Sequence, residues 1–109
     1  PWPYAEEAFD AIIVTNYLYR VHFPHYWRSL KSGGLFLMET FTTVNTAIWG
    51  RPRSPEHVLQ PGELLRLAPP EARICAYEEG LNADELGLER IVWLKPGDAE
   101  VLALRLGAR

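Results

Sequence analysis

Phe9–Thr15 reads FDAIIVT and Leu35–Phe41 reads LFLMETF, with Phe23–Leu30 (FPHYWRSL) and then Lys31-Ser32-Gly33-Gly34 lying between them. The first run is nearly all apolar and rich in β-branched side chains, the pattern of a strand buried on both faces in a parallel sheet. In the middle segment the large side chains fall at 23, 26, 27 and 30, which is helical spacing, and Pro24 sits in a first turn where its missing N–H costs little. A lysine and two glycines then mark the C-terminal stop of that helix. Strand, helix, Gly-Gly and strand make a βαβ unit, so two neighbouring parallel strands with a right-handed crossover are predicted.

Working outward, Thr42–Gln60 is polar and carries Gly50, Pro52 and Pro55. It reads as a long loop with at most one short helical turn, and loops of that length are usually lids or binding segments. Pro61–Leu67 (PGELLRL) reads as a short helix with Pro61 at its first position and Glu63 near the positive end of its dipole; Pro69-Pro70 ends it. Arg73–Glu78 and Glu89–Lys95 are strand candidates joined by a polar, glycine-containing connection of antiparallel type. Asp98–Leu106 fits a short helix and a final strand equally well.

Composition sets the outer bounds. The 109 residues leave room for one domain, and 48% hydrophobic with 23% charged residues is a globular composition. Eleven basic against fourteen acidic side chains give a net charge of −3 with no Lys/Arg run, which makes nucleic acid a poor partner. Cys75 is the single cysteine, so neither an intrachain disulfide nor an all-cysteine zinc site can form, and a reducing cytoplasm is expected. The longest apolar runs, Ala11–Val14 and Leu35–Met38, are far below membrane-helix length, and Pro1–Tyr4 lacks the features of a signal peptide. His22 and His25 stand three apart, but with His57 distant no metal site is expected.

The order β-α-β, long loop, α and two terminal strands, carried by FDAIIVTNYLYR, LKSGGLFLMETF and PGEL, resembles the C-terminal half of class I S-adenosylmethionine-dependent methyltransferases. It is most similar to small bacterial members near the tellurite-resistance branch. The resemblance spans roughly residues 2 to 97. It implies an α/β, Rossmann-like sheet in which this chain supplies strands four to seven in the order 4-5-7-6, parallel strands plus a terminal antiparallel one. It also implies methyl transfer from S-adenosylmethionine to a small-molecule nucleophile. The glycine-rich turn and the acid that hold the cofactor in that family have no counterpart here, since the sequence contains no Gly-x-Gly. Residues 1–109 therefore read as a single partial domain with upstream residues missing, inactive alone. Phe9–Thr15 becomes a sheet edge that should be covered by the missing half or by a second copy. The alternative is a non-catalytic half-fold serving as a dimerisation or regulatory module. A dehydrogenase is weaker, because ETF and PGEL have no counterpart there.

Candidate site residues follow from the rule that ligands bind at the carboxyl ends of the strands. Thr15, Asn16 and Tyr17 are expected to face the cofactor by resemblance, although Asn16 also reads simply as a strand terminator. Arg20 suits a carboxylate or phosphate held bidentately, or a solvated surface position. Thr40 and Phe41 are expected to touch substrate. Glu39, with Tyr17, is the catalytic candidate, as an orienting group or base, and its plain alternative is a carboxylate satisfied by nearby N–H groups.

Overall fold

The structure, a computed structural model, describes residues 1–97, so Asp98–Leu106 lies outside the described residues. Four strands form one sheet in the order β1-β2-β4-β3: β1 Phe9–Thr15, β2 Leu30–Phe41, β3 Arg73–Leu81 and β4 Gly87–Leu94. β1 and β2 run parallel, while β4 lies antiparallel to both β2 and β3. The antiparallel strand thus lies between its two neighbours. Three helices connect them: α1 Phe23–Ser29, α2 Thr43–Trp49 and α3 Glu63–Leu67.

The core lies on one face of the sheet. Phe36 and Met38 of β2, with Ile91 and Trp93 of β4, pack under Phe23 and Tyr26 of α1 and Leu64 of α3. Phe36 and Trp93 are cross-strand partners, both fully buried, with their rings stacked 4.5 Å apart. Tyr26 and Trp27 extend the aromatic layer, at 5.1 Å from Phe36 and 5.5 Å from Trp93 respectively. Burial holds the Tyr26 hydroxyl up at about 12.

β1 is not buried on both faces, as its apolar run predicts. Ile12 and Val14 pack on the core, but Ile13 remains 69% exposed and Leu35 of the neighbouring strand is also exposed. The reason is that α1 and α3 both pack on the side carrying Phe36 and Trp93. The other side presents the row Ile13, Leu37, Val92 and Ala76 to solvent, followed by the row Thr15, Glu39, Arg90 and Glu78. β1 is a sheet edge, as expected.

The Gly-Gly pair belongs to β2 rather than to a helix stop. Opposite the step from Phe9 to Ala11, β2 runs from Leu30 to Leu35, so Lys31–Gly34 form a bulge. Gly33 takes φ +83°, and a Cβ on Gly34 would lie 2.8 Å from Leu30 Cγ and from the Lys31 carbonyl oxygen. The cation at the end of α1 is Lys95, not Lys31. Its Nζ donates to the carbonyls of Trp27 (2.9 Å) and Leu30 (2.8 Å) and lies 5.2 Å from the Trp27 ring centroid.

Thr42–Gln60 is more ordered than a lid-like loop. Thr42 caps α2 by accepting from the Val44 amide, and Gly50 ends it in the left-handed conformation. The neck is closed by backbone bonds from Thr43 N to Leu59 O (3.0 Å) and from Leu59 N to Phe41 O (2.9 Å). Pro61 lies before α3 rather than in its first turn, because Gly62 occupies the N-cap in a left-handed conformation. β3 and β4 run further toward their turn than expected: the polar residues Glu78–Gly80 sit on an edge strand, where solvent accommodates them. Asn82 closes the turn by accepting from the amides of Asp84 and Leu86, each at 2.9 Å.

Gly34→Ala should destabilise the domain by about 2 kcal/mol, the usual cost of forcing a methyl group into a filled site. Urea unfolding of the variant against the parent chain checks this.

Candidate functional site

The carboxyl ends of β1 and β2 meet at a cavity of about 370 Å³ lined by Asn16, Tyr17, Leu18, Thr40, Phe41, Pro52 and His57. Asn16 turns the chain out of β1 at φ +54°, and its amide donates to the Glu39 carbonyl at 2.9 Å. Leu18 and Thr40 are buried and form the floor, whereas Tyr17 and His57 are exposed at the rim. Four of the residues singled out in the sequence therefore share one crevice: Asn16, Tyr17, Thr40 and Phe41.

The other three lie elsewhere. Thr15 and Glu39 line a groove of about 240 Å³ on the open face of the sheet, with Ile13, Leu37, Arg90 and Val92. The Glu39 carboxylate is ion-paired to Arg90, whose guanidinium also reaches Glu78 at 3.2 Å. These contacts hold the Arg90 guanidinium firmly protonated. Arg20 does not line the crevice. Its Nε donates to Glu63 Oε2 (2.5 Å), its Nη2 to Glu63 Oε1 (3.0 Å) and to the Val58 carbonyl (2.9 Å), and its Nη1 to the carbonyls of Glu56 (3.2 Å) and Pro55 (3.5 Å).

This clasp shapes the crevice wall. It holds the returning segment Pro55–Val58, and with it His57, against the start of α3. The Arg20 guanidinium keeps the Glu63 carboxyl below the usual range, helped by the Gln60 amide, which donates to Glu63 Oε1 at 2.9 Å. Buried Asn45 ties the other limb: its Nδ2 donates to the Arg51 carbonyl (2.8 Å) and its Oδ1 accepts from the Gly87 amide (3.0 Å). Thr46 Oγ1 donates to the Pro52 carbonyl at 2.6 Å.

Beside α3 lies an acid that the sequence reading did not single out. Glu89 is fully buried, and its Oε1 accepts from the Leu64 amide (2.9 Å) and from the Tyr77 hydroxyl (3.0 Å). The Tyr77 hydroxyl also lies 2.9 Å from Glu79 Oε1. Burial is the main cause that pushes the Glu89 carboxyl above the usual range. Tyr77 is likewise raised, first by burial and then by its bonds to the two carboxylates. His22 sits among Trp2, Tyr17, Tyr19, His25 and Tyr26, and burial followed by the neighbouring His25 lowers its pKa. Cys75 is a free, exposed thiol. No helix of the described residues is long and apolar enough to cross a membrane.

No protein-family model and no curated protein matches the sequence. Solved structures do. The [4+2]-cyclase SpnF aligns with 90% of this chain at a TM-score of 0.64 and 14% identity. A structure describing conversion of a disulfide bond into a thioacetal group during echinomycin biosynthesis aligns with 90% at 0.63 and 15%. A SAM-dependent methyltransferase from Methanosarcina mazei aligns with 90% at 0.59 and 15%. The chain has the class I methyltransferase-like fold that these structures share. It spans 53%, 54% and 64% of their respective lengths.

Arg20→Ala should lower stability by about 2 kcal/mol, since it leaves a partly buried Glu63 and two or three carbonyls without their donor. Arg20→Lys should recover little, having no fork to bridge carboxylate and carbonyls. Hydrogen exchange at the Val58 and Leu59 amides, read beside urea melts, measures both effects.

Glu63 and Glu89 should give stability opposite slopes against pH. The depressed Glu63 stabilises the fold above the ordinary carboxylate range, and that contribution disappears as pH falls through its folded value. The raised Glu89 favours the fold below the ordinary carboxylate range, about pH 4.3, and that contribution disappears as pH rises through its higher folded value. Glu89→Gln should flatten the alkaline-side decline, and Glu63→Gln the acid-side one. Urea midpoints across the pH range report each slope.

Proposed function

We infer that this chain is the acceptor-side half of an S-adenosylmethionine-dependent methyltransferase acting on a small-molecule nucleophile. The observation that carries the reading is the convergence of Asn16, Tyr17, Thr40 and Phe41 on one crevice at the carboxyl ends of two parallel strands, in a methyltransferase-like fold. Asn16 and Tyr17 stand on the cofactor side, and Thr40 and Phe41 on the acceptor side. Tyr17, at the rim, is the group placed to touch reacting atoms. Arg20 acts from behind the wall, held by Glu63, while Glu39, paired with Arg90, and Thr15 lie on the open face outside the crevice.

The residues fit only the reacting centre of the cofactor. Neutral oxygens and aromatic rings suit a sulfonium centre. The ribose and methionine ends need a glycine-rich turn and an acid, and no Gly-x-Gly is present in the sequence. When bound, S-adenosylmethionine supplies the methyl group; the residues described here orient its acceptor. On this reading residues 1–109 are one partial domain, cytoplasmic, and the free β1 edge with the exposed Ile13 row receives the glycine-rich half. The same exposed edge and face favour a second reading, in which two copies pair there as a non-catalytic dimerisation or regulatory module.

Titration calorimetry with S-adenosylmethionine should show no micromolar affinity for the chain alone. Joined behind a glycine-rich half-domain of the same fold, the chain should bind the cofactor and transfer labelled methyl. Micromolar binding by the isolated chain overturns the half-site reading, and a monodisperse cofactor-free dimer by gel filtration favours the second one.

A further inference from the structure

We propose that the crevice at the ends of β1 and β2 selects an uncharged, ring-bearing compound with a hydroxyl or amine group and rejects carboxylates and phosphates. This rests on the reading of that crevice as the acceptor side, and names the class of acceptor.

The lining residues are Asn16, Tyr17, Leu18, Thr40, Phe41, Pro52 and His57, with no lysine, arginine, aspartate or glutamate among them. Arg20 lies two residues beyond Leu18, and all three of its guanidinium nitrogens are engaged with Glu63 and the carbonyls of Pro55, Glu56 and Val58. Arg51 and Arg53 flank Pro52 but are not among the lining residues. An anion entering over the buried floor of Leu18 and Thr40 would lose water with no lysine or arginine among the lining residues to replace it, which is costly. A neutral ring meets better terms. Tyr17, Phe41, Pro52 and His57 offer flat or apolar surfaces for stacking, and the Asn16 amide and Thr40 hydroxyl can both donate to and accept from a hydroxyl or amine. A cavity of about 370 Å³ accommodates a compound of one or two rings.

The clasp makes this selectivity a property of the fold rather than of the lining alone. Glu63 holds Arg20, and the same contact presses the His57 segment into the wall. A site built to bind an anion would leave that guanidinium free to reach the ligand.

The test is a two-probe titration of the full chain followed by amide NMR, using 2-naphthol and 2-naphthoate, which share a ring system and differ in charge. Naphthol should bind at least about tenfold more tightly than naphthoate, with shifts centred on Asn16, Tyr17 and Phe41. Naphthoate binding that equals or exceeds it overturns the proposal. So do the absence of binding by either probe and shifts centred instead on Ile13, Leu37 and Val92. Neither probe needs a methyl donor, so failure here and failure of methyl transfer in the joined protein are separate results.

Discussion

The stack of Phe36 on Trp93 is the contact from which the rest of the molecule takes its order. Both rings are fully buried and face each other across β2 and β4, so a one-residue slip of either strand would turn its ring out of the core and break the stack. The register they fix places Glu39 against Arg90 on the open face and Thr40 against Glu89 on the covered one. The same layer receives Tyr26 and Trp27, so it also sets where α1 lies and therefore where Arg20, just ahead of that helix, can reach.

Three charged sets lie outside the crevice lining. Arg20 and Glu63 satisfy each other at the wall, Arg90 is shared by Glu39 and Glu78 on the open face, and Glu79, Tyr77 and Glu89 form a bridge behind α3. What is left at the strand ends is hydroxyl, amide, imidazole and ring. On the proposal made above, recognition there depends on shape and neutral hydrogen bonds, which suits chemistry dominated by positioning. The β1 edge and the open apolar row lie on the surfaces proposed above to receive a partner.

Much of this was legible in the sequence, for identifiable reasons. FDAIIVT marks β1 because a β-branched run admits little else, and the strand-end rule locates Asn16, Tyr17, Thr40 and Phe41. The α2 helix was hidden because Val44, Ile48 and Trp49 are exposed and leave no apolar stripe, although Thr42 and Gly50 bracket it as caps. Pro52 and His57 reach the crevice through contacts between residues some 40 positions apart, such as Arg20 with Val58 and Glu63, and no local pattern encodes those. Glu89 could have been found by parity. It alternates with Ile91 and Trp93, so its carboxyl belongs on their side of the sheet. The double glycine misled because a helix stop and a strand bulge use the same residue type.

The strand order has a consequence for the way the chain is made. β4 leaves the ribosome after β1, β2 and β3, yet it lies between β2 and β3 and supplies Trp93 to the core. Lys95, which bonds the final carbonyls of α1, emerges later still. Until about residue 95 has been synthesised, β2 and β3 each have an unpaired inner edge and the aromatic layer lacks its central ring. Closure of the sheet between β2 and β3 therefore comes late in translation, and the nascent chain carries two open inner strand edges in the interval.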